Sequence, residues 1–234
     1  MKRPLVSVVI PAYNEEYYLP ACLDSLIKQK TDVPYEVIVV NNASTDKTKQ
    51  VAQTYKVKII DEPRKGRGYA RQTGFEHAIG DIILGTEADT VVPLNWVEHM
   101  YKSFSEKKCH AITGPMKIKE LSPFKRSIIN YGLQLIVELY RLFFGYTFLA
   151  GFNMGLSKEL FKKVGGFDVR LNTLDEVELS ARISKITPIY FIKDLPVIVS
   201  ARRFKKNFWG GVGEYIKANY LFAKNQTPVF TDPR

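Results

Sequence analysis

Two pairs of carboxylates are set where they could do chemistry. Glu87 and Asp89, separated by one alanine, follow Gly80-Asp81-Ile82-Ile83-Leu84-Gly85-Thr86. That run passes from a turn residue through a short apolar stretch, too brief for a helix and suited to a buried strand. Such a strand delivers its acids at its carboxyl end, the edge of an open α/β sheet at which ligands bind. Two acids there repel each other unless a cation or a donor-rich ligand lies between them, and a metal-bound diphosphate would satisfy both. The alternative is a solvated loop pair that caps a helix starting near Pro93. Asp175 and Glu176 form the second pair, in Leu174-Asp175-Glu176-Val177-Glu178-Leu179. On residue types alone they are first-turn acids favoured by a helix dipole. Glu178 is expected to pair with Arg182 at the i,i+4 spacing.

The elements that must position these acids are legible in the first half of the chain. The β-branched run 6–10 is closed by Pro11, and Asn14-Glu15-Glu16 then supplies a cap and first-turn acids for a helix carrying Leu19, Leu23, Leu26 and Ile27. A second strand, 36–40, ends in the turn-rich stretch 41–46 and leads to a helix with Val51, Ala52 and Tyr55. A third strand is expected over 57–60. The basic loop Arg64-Lys65-Gly66-Arg67-Gly68 then precedes a helix over about 69–78 and the acidic strand. Strands alternating with helices at short intervals predict an α/β fold, a largely parallel sheet with helices on both faces. Loops 12–15, 41–46 and 86–89 would converge at one carboxyl edge. No repeat, low-complexity segment or linker interrupts the chain, so a single unit is expected.

The segments VSVVIPAYNEE (6–16), VIVVNNASTDKT (37–48), ARQTG (70–74) and GDIILGTEAD (80–89) resemble, in that order, the nucleotide-binding half of the family 2 inverting glycosyltransferases with the GT-A fold. GFNMGLSKELFKKVGGFD (151–168) is similar to the family's acceptor-side segment, and LDEVELSARI (174–183) to its acidic catalytic helix. The resemblance runs over roughly residues 5–205 and implies a single GT-A-like domain. Its nucleotide-sugar-binding half would occupy about 5–115, its acceptor side about 116–205, and a helical C-terminal segment about 206–234. It implies that Ala12, Tyr13, Glu15 and Asn42 hold base and ribose, that Arg71 faces the diphosphate, and that Asp89 is the direct ligand of Mg²⁺ or Mn²⁺. Glu87, in the first place of the family's DXD, would reach the ribose or a metal-bound water. Asn42 stands where relatives usually have aspartate, and the alternative reading is a turn residue. Glu176 matches the general base, with Asp175 the alternative because the two acid types are swapped relative to the family. Asn153 and Gly166 resemble acceptor-pocket elements. Arg202 and Arg203 resemble residues that close over the diphosphate or bind an anionic acceptor, and they read equally as a solvated basic run.

Bulk composition bounds the partners. The chain has 234 residues, 45% of them hydrophobic, with 34 basic against 24 acidic side chains. A balance of +10 favours an anionic partner: a phosphorylated ligand, a membrane surface or nucleic acid. No nucleic-acid-binding motif is present, so that partner ranks last. Cys22 and Cys109 lack a CxxC spacing and are expected as free buried thiols, and His77, His99 and His110 lack metal-ligand spacing. With no signal-like apolar region after Met1-Lys2-Arg3-Pro4, a cytoplasmic location is expected. Residues 128–149 read as a helix with a narrow polar stripe of Asn130, Gln134, Glu138, Arg141 and Gly145. Its broad apolar face is expected to meet a membrane interface, a second subunit in a homodimer, or the core. Lys125, Arg126, Lys205, Lys206, Phe208, Trp209, Lys217 and Tyr220 would form a basic and aromatic skirt for anionic lipid.

These readings converge on an inverting transferase that moves a sugar from a nucleotide donor to a sugar or lipid-linked acceptor at the cytoplasmic membrane face. A nucleotidyltransferase and a non-catalytic nucleotide-sugar binding protein are the rivals.

Overall fold

The computed structural model describes residues 3–171, 174–206, 208–210 and 213. Along the first half run β1 (Val6–Ala12), α1 (Leu19–Ile27), β2 (Tyr35–Asn41), α2 (Thr48–Gln53), β3 (Lys58–Asp61), α3 (Arg67–Glu76), β4 (Ile82–Gly85), β5 (Thr90–Val91) and α4 (Trp96–Lys107). There follow β6 (Ala111–Thr113), β7 (Met116–Lys117), α5 (Pro123–Phe144), β8 (Met154–Ser157), α6 (Lys158–Lys163), α7 (Asp175–Ser184), β9 (Tyr190–Phe191), β10 (Val197–Val199) and α8 (Arg202–Lys206). The larger sheet has the order β3-β2-β1-β4-β8-β6-β9. Its β3-β2-β1-β4 half is parallel, and β8 runs antiparallel to both β4 and β6. Short strands β5, β10 and β7 form a second sheet that the sequence reading does not contain.

The pleat explains why helices cover both faces. Val6, Val8 and Ile10 of β1, with Val37 and Val39 of β2, pack into one core with Leu19, Leu23, Leu26, Trp96 and Met100. The intervening Val9, Ile38 and Val40 enter the other core with Phe75, Phe161, Phe167, Leu179 and Ile183. Alternate residues therefore serve opposite layers, and the near-continuous apolar runs follow from burial on both sides. β1 lies between β2 and β4, from which the connections leave in opposite directions. The crevice at that switch point is where an open α/β sheet takes a ligand.

The long helix is displaced from its expected bounds of 128–149. It begins at Pro123 after Ser122, where proline's fixed φ suits a first turn, and it ends at Gly145, whose φ of 75° halts it. Thr147, Phe148, Leu149 and Ala150 turn back into the protein and are buried. Ile129 packs with Ile118, Ala201 and Phe208. On another side Phe124, Tyr131, Leu135, Leu142 and Phe143 remain 59–75% exposed. Among the described residues no helix is long and apolar enough to cross a membrane. Most of the expected C-terminal helix over 206–234, including Lys217 and Tyr220, lies outside the described residues.

Candidate active site

The carboxyl ends of β1, β2 and β4 meet as expected. Asn42 N–H donates to Ala12 O at 2.8 Å, Glu15 N–H to Thr48 Oγ1 at 2.7 Å, and Thr45 N–H to Asn14 Oδ1 at 2.8 Å. Asn14 (φ 53°), Ala43 (φ 54°) and Leu174 (φ 57°) all have left-handed backbone, a costly state for non-glycine residues. The first two bend the loops of β1 and β2 over the edge. The third turns the chain just before α7, so that Asp175 and Glu176 face the sheet.

Arg71 is the hub. Its side chain is 1% exposed, and Nη1 donates to Asp175 Oδ2 and Glu176 Oε2, both at 2.8 Å, while Nη2 donates to Glu87 Oε1 at 3.0 Å. One guanidinium thus joins the acid at the end of β4 to both acids of α7. It can lie there because residue 151 is glycine: a Cβ would collide with Nη2. The resemblance assigns Arg71 to the diphosphate; here its fork is taken up by carboxylates.

The acids of α7 differ in access. Asp175 is fully buried and its Oδ1 has no hydrogen-bond partner, whereas the Glu176 side chain keeps 16% of its surface open. Burial works to raise both. For Asp175 the adjoining Arg71 prevails and holds it below the ordinary carboxylate value, whereas burial, reinforced by Asp175, leaves Glu176 above its own. A neighbouring pair pushed apart in this way divides into a fixed anion and a proton acceptor.

Asp89 meets Arg202, whose Nη2 lies 3.0 Å from Oδ2 and whose fork also grips Glu15 with two bonds of 2.7 Å. Arg202 lies over the Tyr18 ring at 4.8 Å. β10 brings it there by pairing antiparallel with β5. Burial first, then Glu87 and Glu15, push the Asp89 carboxyl up to about 6. Oδ1 of Asp89 is buried without a hydrogen-bond partner. A hard divalent cation fits that oxygen, and it needs only one or two protein carboxylates when phosphate and water complete its shell. Among the described residues no group of three or more His, Cys, Asp or Glu side chains is placed to hold an ion, so most of the shell would have to come from the ligand.

Other expected site residues lie elsewhere or are already engaged. Asn42 spends its amide on the following loop: Nδ2 donates to Glu62 O at 3.1 Å and Arg64 O at 2.7 Å, and Oδ1 accepts from Gly66 N–H at 2.9 Å. An aspartate, having no donor, could not make the first two bonds. Lys65 donates to Tyr13 OH at 2.6 Å and lies over its ring. Asn153 is fully buried; it accepts from Trp96 Nε1 at 2.9 Å and donates to Pro115 O and Leu195 O. It is a core amide rather than the lining of an acceptor pocket. Gly166 (φ 74°) ends the turn after α6 against Gln72 and accepts from Arg182, so it too serves packing. The Arg203 side chain lies outside the described residues. Glu178 and Arg182 pair as expected, at 2.6 Å, and Cys22 and Cys109 are free and buried.

The sequence reading misses two features. Thr73 and Arg64 clamp the buried Glu62 with bonds of 2.5–2.9 Å and, with Asn42, fix the basic loop. Arg67, one helical turn before Arg71, reads in the sequence only as part of that loop.

A largely parallel sheet with acids at its switch point and an acidic helix facing them is the GT-A architecture among α/β folds. The chain belongs to Glycosyl transferase family 2, whose family model matches residues 7–165. It is 28% identical over 208 residues to the uncharacterized glycosyltransferase RT0329 of Rickettsia typhi, a match covering 85% of this chain and 64% of that protein. It is 31% identical over 114 residues to glycosyltransferase GlyA of Streptococcus pneumoniae, covering 47% of this chain and 16% of that protein. The chain thus spans less than two thirds of these relatives. Among solved structures, the mannosyltransferase PcManGT of Pyrobaculum calidifontis, in complex with GDP-Man and Mn²⁺, aligns with a TM-score of 0.66 at 24% identity, covering 85% of this chain and 57% of that one. TarS residues 1–349 of S. aureus, in complex with UDP-GlcNAc, align at 0.65 and 20% identity, covering 83% and 58%. These two likenesses are of fold.

Proposed function

We propose that this protein transfers a sugar from a nucleoside diphosphate to an acceptor, with inversion, and that the acceptor is presented at a membrane surface. The observation that carries the reading is the Arg71 node, which sets the acids of α7 beside the acid pair after β4. Donor-side and proton-handling groups then face one space. Asp89 would hold Mg²⁺ or Mn²⁺ with the diphosphate, and that ion would neutralise the charge left on the departing nucleoside diphosphate. Glu176, the more open of the α7 acids, takes the proton from an attacking hydroxyl. Asp175 stays ionised behind it and aims Arg71. Inversion follows from one displacement, with the base on the face opposite the leaving group. Neighbours of this fold solved with GDP-Man and with UDP-GlcNAc support a nucleotide-sugar donor and leave the base open between them.

The test is cation-dependent binding. UDP and GDP are expected to raise the melting temperature only with Mn²⁺ or Mg²⁺, and Asp89→Asn is expected to abolish that shift while Glu87→Gln only reduces it. A ligand at a hundred times its Kd stabilises by about 2.7 kcal/mol, well within detection. An undiminished cation-dependent shift in Asp89→Asn would sink the assignment. Product analysis separates the nearest rival, since a nucleotidyltransferase releases pyrophosphate.

The membrane part rests on α5. Its exposed row of Phe124, Tyr131, Leu135, Leu142 and Phe143 stands on a helix whose first turn carries Lys125 and Arg126, a combination suited to a helix lying in an anionic headgroup layer. Flotation with vesicles containing anionic lipid should recover the protein at low salt, with Leu135→Glu and Leu142→Glu together reducing recovery. Recovery that is equal with neutral vesicles would remove the electrostatic component. No recovery with either, together with a dimer in solution, would assign the face to a second copy.

A further inference from the structure

Among the described side chains, Arg67, Arg71 and Arg202 stand around the candidate acids, and two of them are committed. Every described bond of the Arg71 fork goes to Asp175, Glu176 or Glu87, in a buried position. Arg202 is held by both oxygens of Glu15 and by Asp89. Turning either toward a phosphate would leave buried carboxylates without their counter-charge, which is strongly unfavourable. Arg67 differs: it is half-buried, and its side chain forms no hydrogen bond or ion pair among the described residues.

Its placement is defined by the backbone on both sides. Arg67 opens α3, four residues before Arg71, so the two share a helix face about 6 Å apart along the axis. The residue before it, Gly66, is tied through its N–H to Asn42, whose own N–H bonds Ala12 O at the end of β1. The residue after it, Gly68, packs against the backbone of Asp168 and Leu171, on the approach to α7. Arg67 therefore stands between the β1 and β2 loops, where a nucleoside would lie, and the carboxylates that handle the sugar. A diphosphate is the part of the donor that spans those two places. The surroundings call for a cation: Glu15, Glu87, Asp89, Asp175 and Glu176 outnumber the guanidiniums that pair with them. The positive charge of Arg67 is felt at Asp89, Asp175 and Glu176 alike.

We propose that Arg67, rather than Arg71 or Arg202, is the guanidinium that receives the donor's diphosphate, a role that rests on the donor-binding reading above. Arg71 and Arg202 are positioning residues that hold the carboxylates in place. Among the described arginine side chains of the site, Arg67 alone offers a fork that a phosphate can enter without breaking an existing bond.

Calorimetric titration at constant Mn²⁺ tests this, with UDP and GDP, and with uridine and guanosine followed by their displacement of the bound diphosphate form. Arg67→Gln is expected to weaken nucleoside diphosphate binding about 10- to 100-fold, the worth of a hydrogen bond to a charged group. Nucleoside binding should stay within about twofold, and Arg67→Lys should recover part of the loss. Because the Arg67 side chain acts on the buried acids only at a distance, the ligand-free melting temperature should fall far less than in Arg71→Met. Unchanged diphosphate affinity in Arg67→Gln would overturn the assignment, as would an equal loss for nucleoside and diphosphate. Wild-type protein that binds no nucleoside diphosphate would instead overturn the donor reading itself, and this role with it.

Discussion

Replacing Arg71 by methionine is expected to lower the melting temperature more than any other single change at the site. The substitution keeps most of the volume and removes the charge, leaving Asp175 fully buried with one oxygen already unpartnered. Breaking a buried pair by deleting one partner typically costs about 3–5 kcal/mol, because the surviving charge is neither solvated nor paired. In a chain of this size each kcal/mol moves the melting temperature by about 2–4 °C, so a drop of roughly 6–20 °C is expected. Glu87 and Glu176 contribute less to the loss, since 27% and 16% of their side chains remain open to water. The partner that matters is therefore Asp175, and a double variant carrying Arg71→Met with Asp175→Asn should recover much of the loss. Arg71→Lys should fall between, as one ammonium cannot match three acceptors with a planar fork. A melting temperature within 2 °C of wild type for Arg71→Met, taken as roughly the shift of 1 kcal/mol, would show that the node carries no net stabilisation.

That node also marks where the sequence stops being informative. The parallel half of the sheet was readable because β1 and β2 are long, β-branched and buried on both faces, which leaves a signal in every residue. The acids after β4 were readable because a strand end and a turn locate them without knowledge of the rest of the chain. The partner of Arg71 was not readable, since Asp175 is 104 positions away and nothing local distinguishes a guanidinium facing phosphate from one facing carboxylate. A nearer signal lies in the spacing: Arg67 and Arg71 share a face, so the sequence offers two guanidiniums for one diphosphate. Asn42 and Asn153 mislead for a related reason. An amide placed in a motif position looks like a ligand contact, and only the folded chain brings up the carbonyls, such as Glu62 O and Leu195 O, that already use its donors. Strands β5, β7, β9 and β10, of two or three residues each, are too short to carry a period at all.

Glu176→Gln is the change expected to cost most in turnover. A sugar hydroxyl is a poor nucleophile while it keeps its proton, and a positioned base accelerates such a step by about 10²–10⁴-fold. Glutamine keeps the shape and a contact to Arg71 but cannot take the proton, so turnover should fall by that factor while donor affinity changes little. Asp175→Asn should behave differently. Asp175 is sealed from the acceptor, so its loss acts through Arg71 and should appear as lowered stability with a smaller fall in turnover. The pH profile separates these roles further. Burial, reinforced by Asp175 and opposed by Arg71 and Arg67, raises Glu176 above the 4.5 of an ordinary glutamate. A base must be deprotonated to act, so turnover should decline as pH falls through that raised value, and the acid limb should lie above pH 4.5. In Glu176→Gln the residual rate should lose this limb. A phosphate acceptor changes the expectation, because its oxygen is already anionic at neutral pH and has no proton to give up. With such an acceptor Glu176→Gln should retain turnover within a few-fold, well short of the loss of about 10²-fold or more expected of a missing base. Near-normal turnover of a hydroxyl acceptor by Glu176→Gln, with its acid limb intact, would move the base to another group.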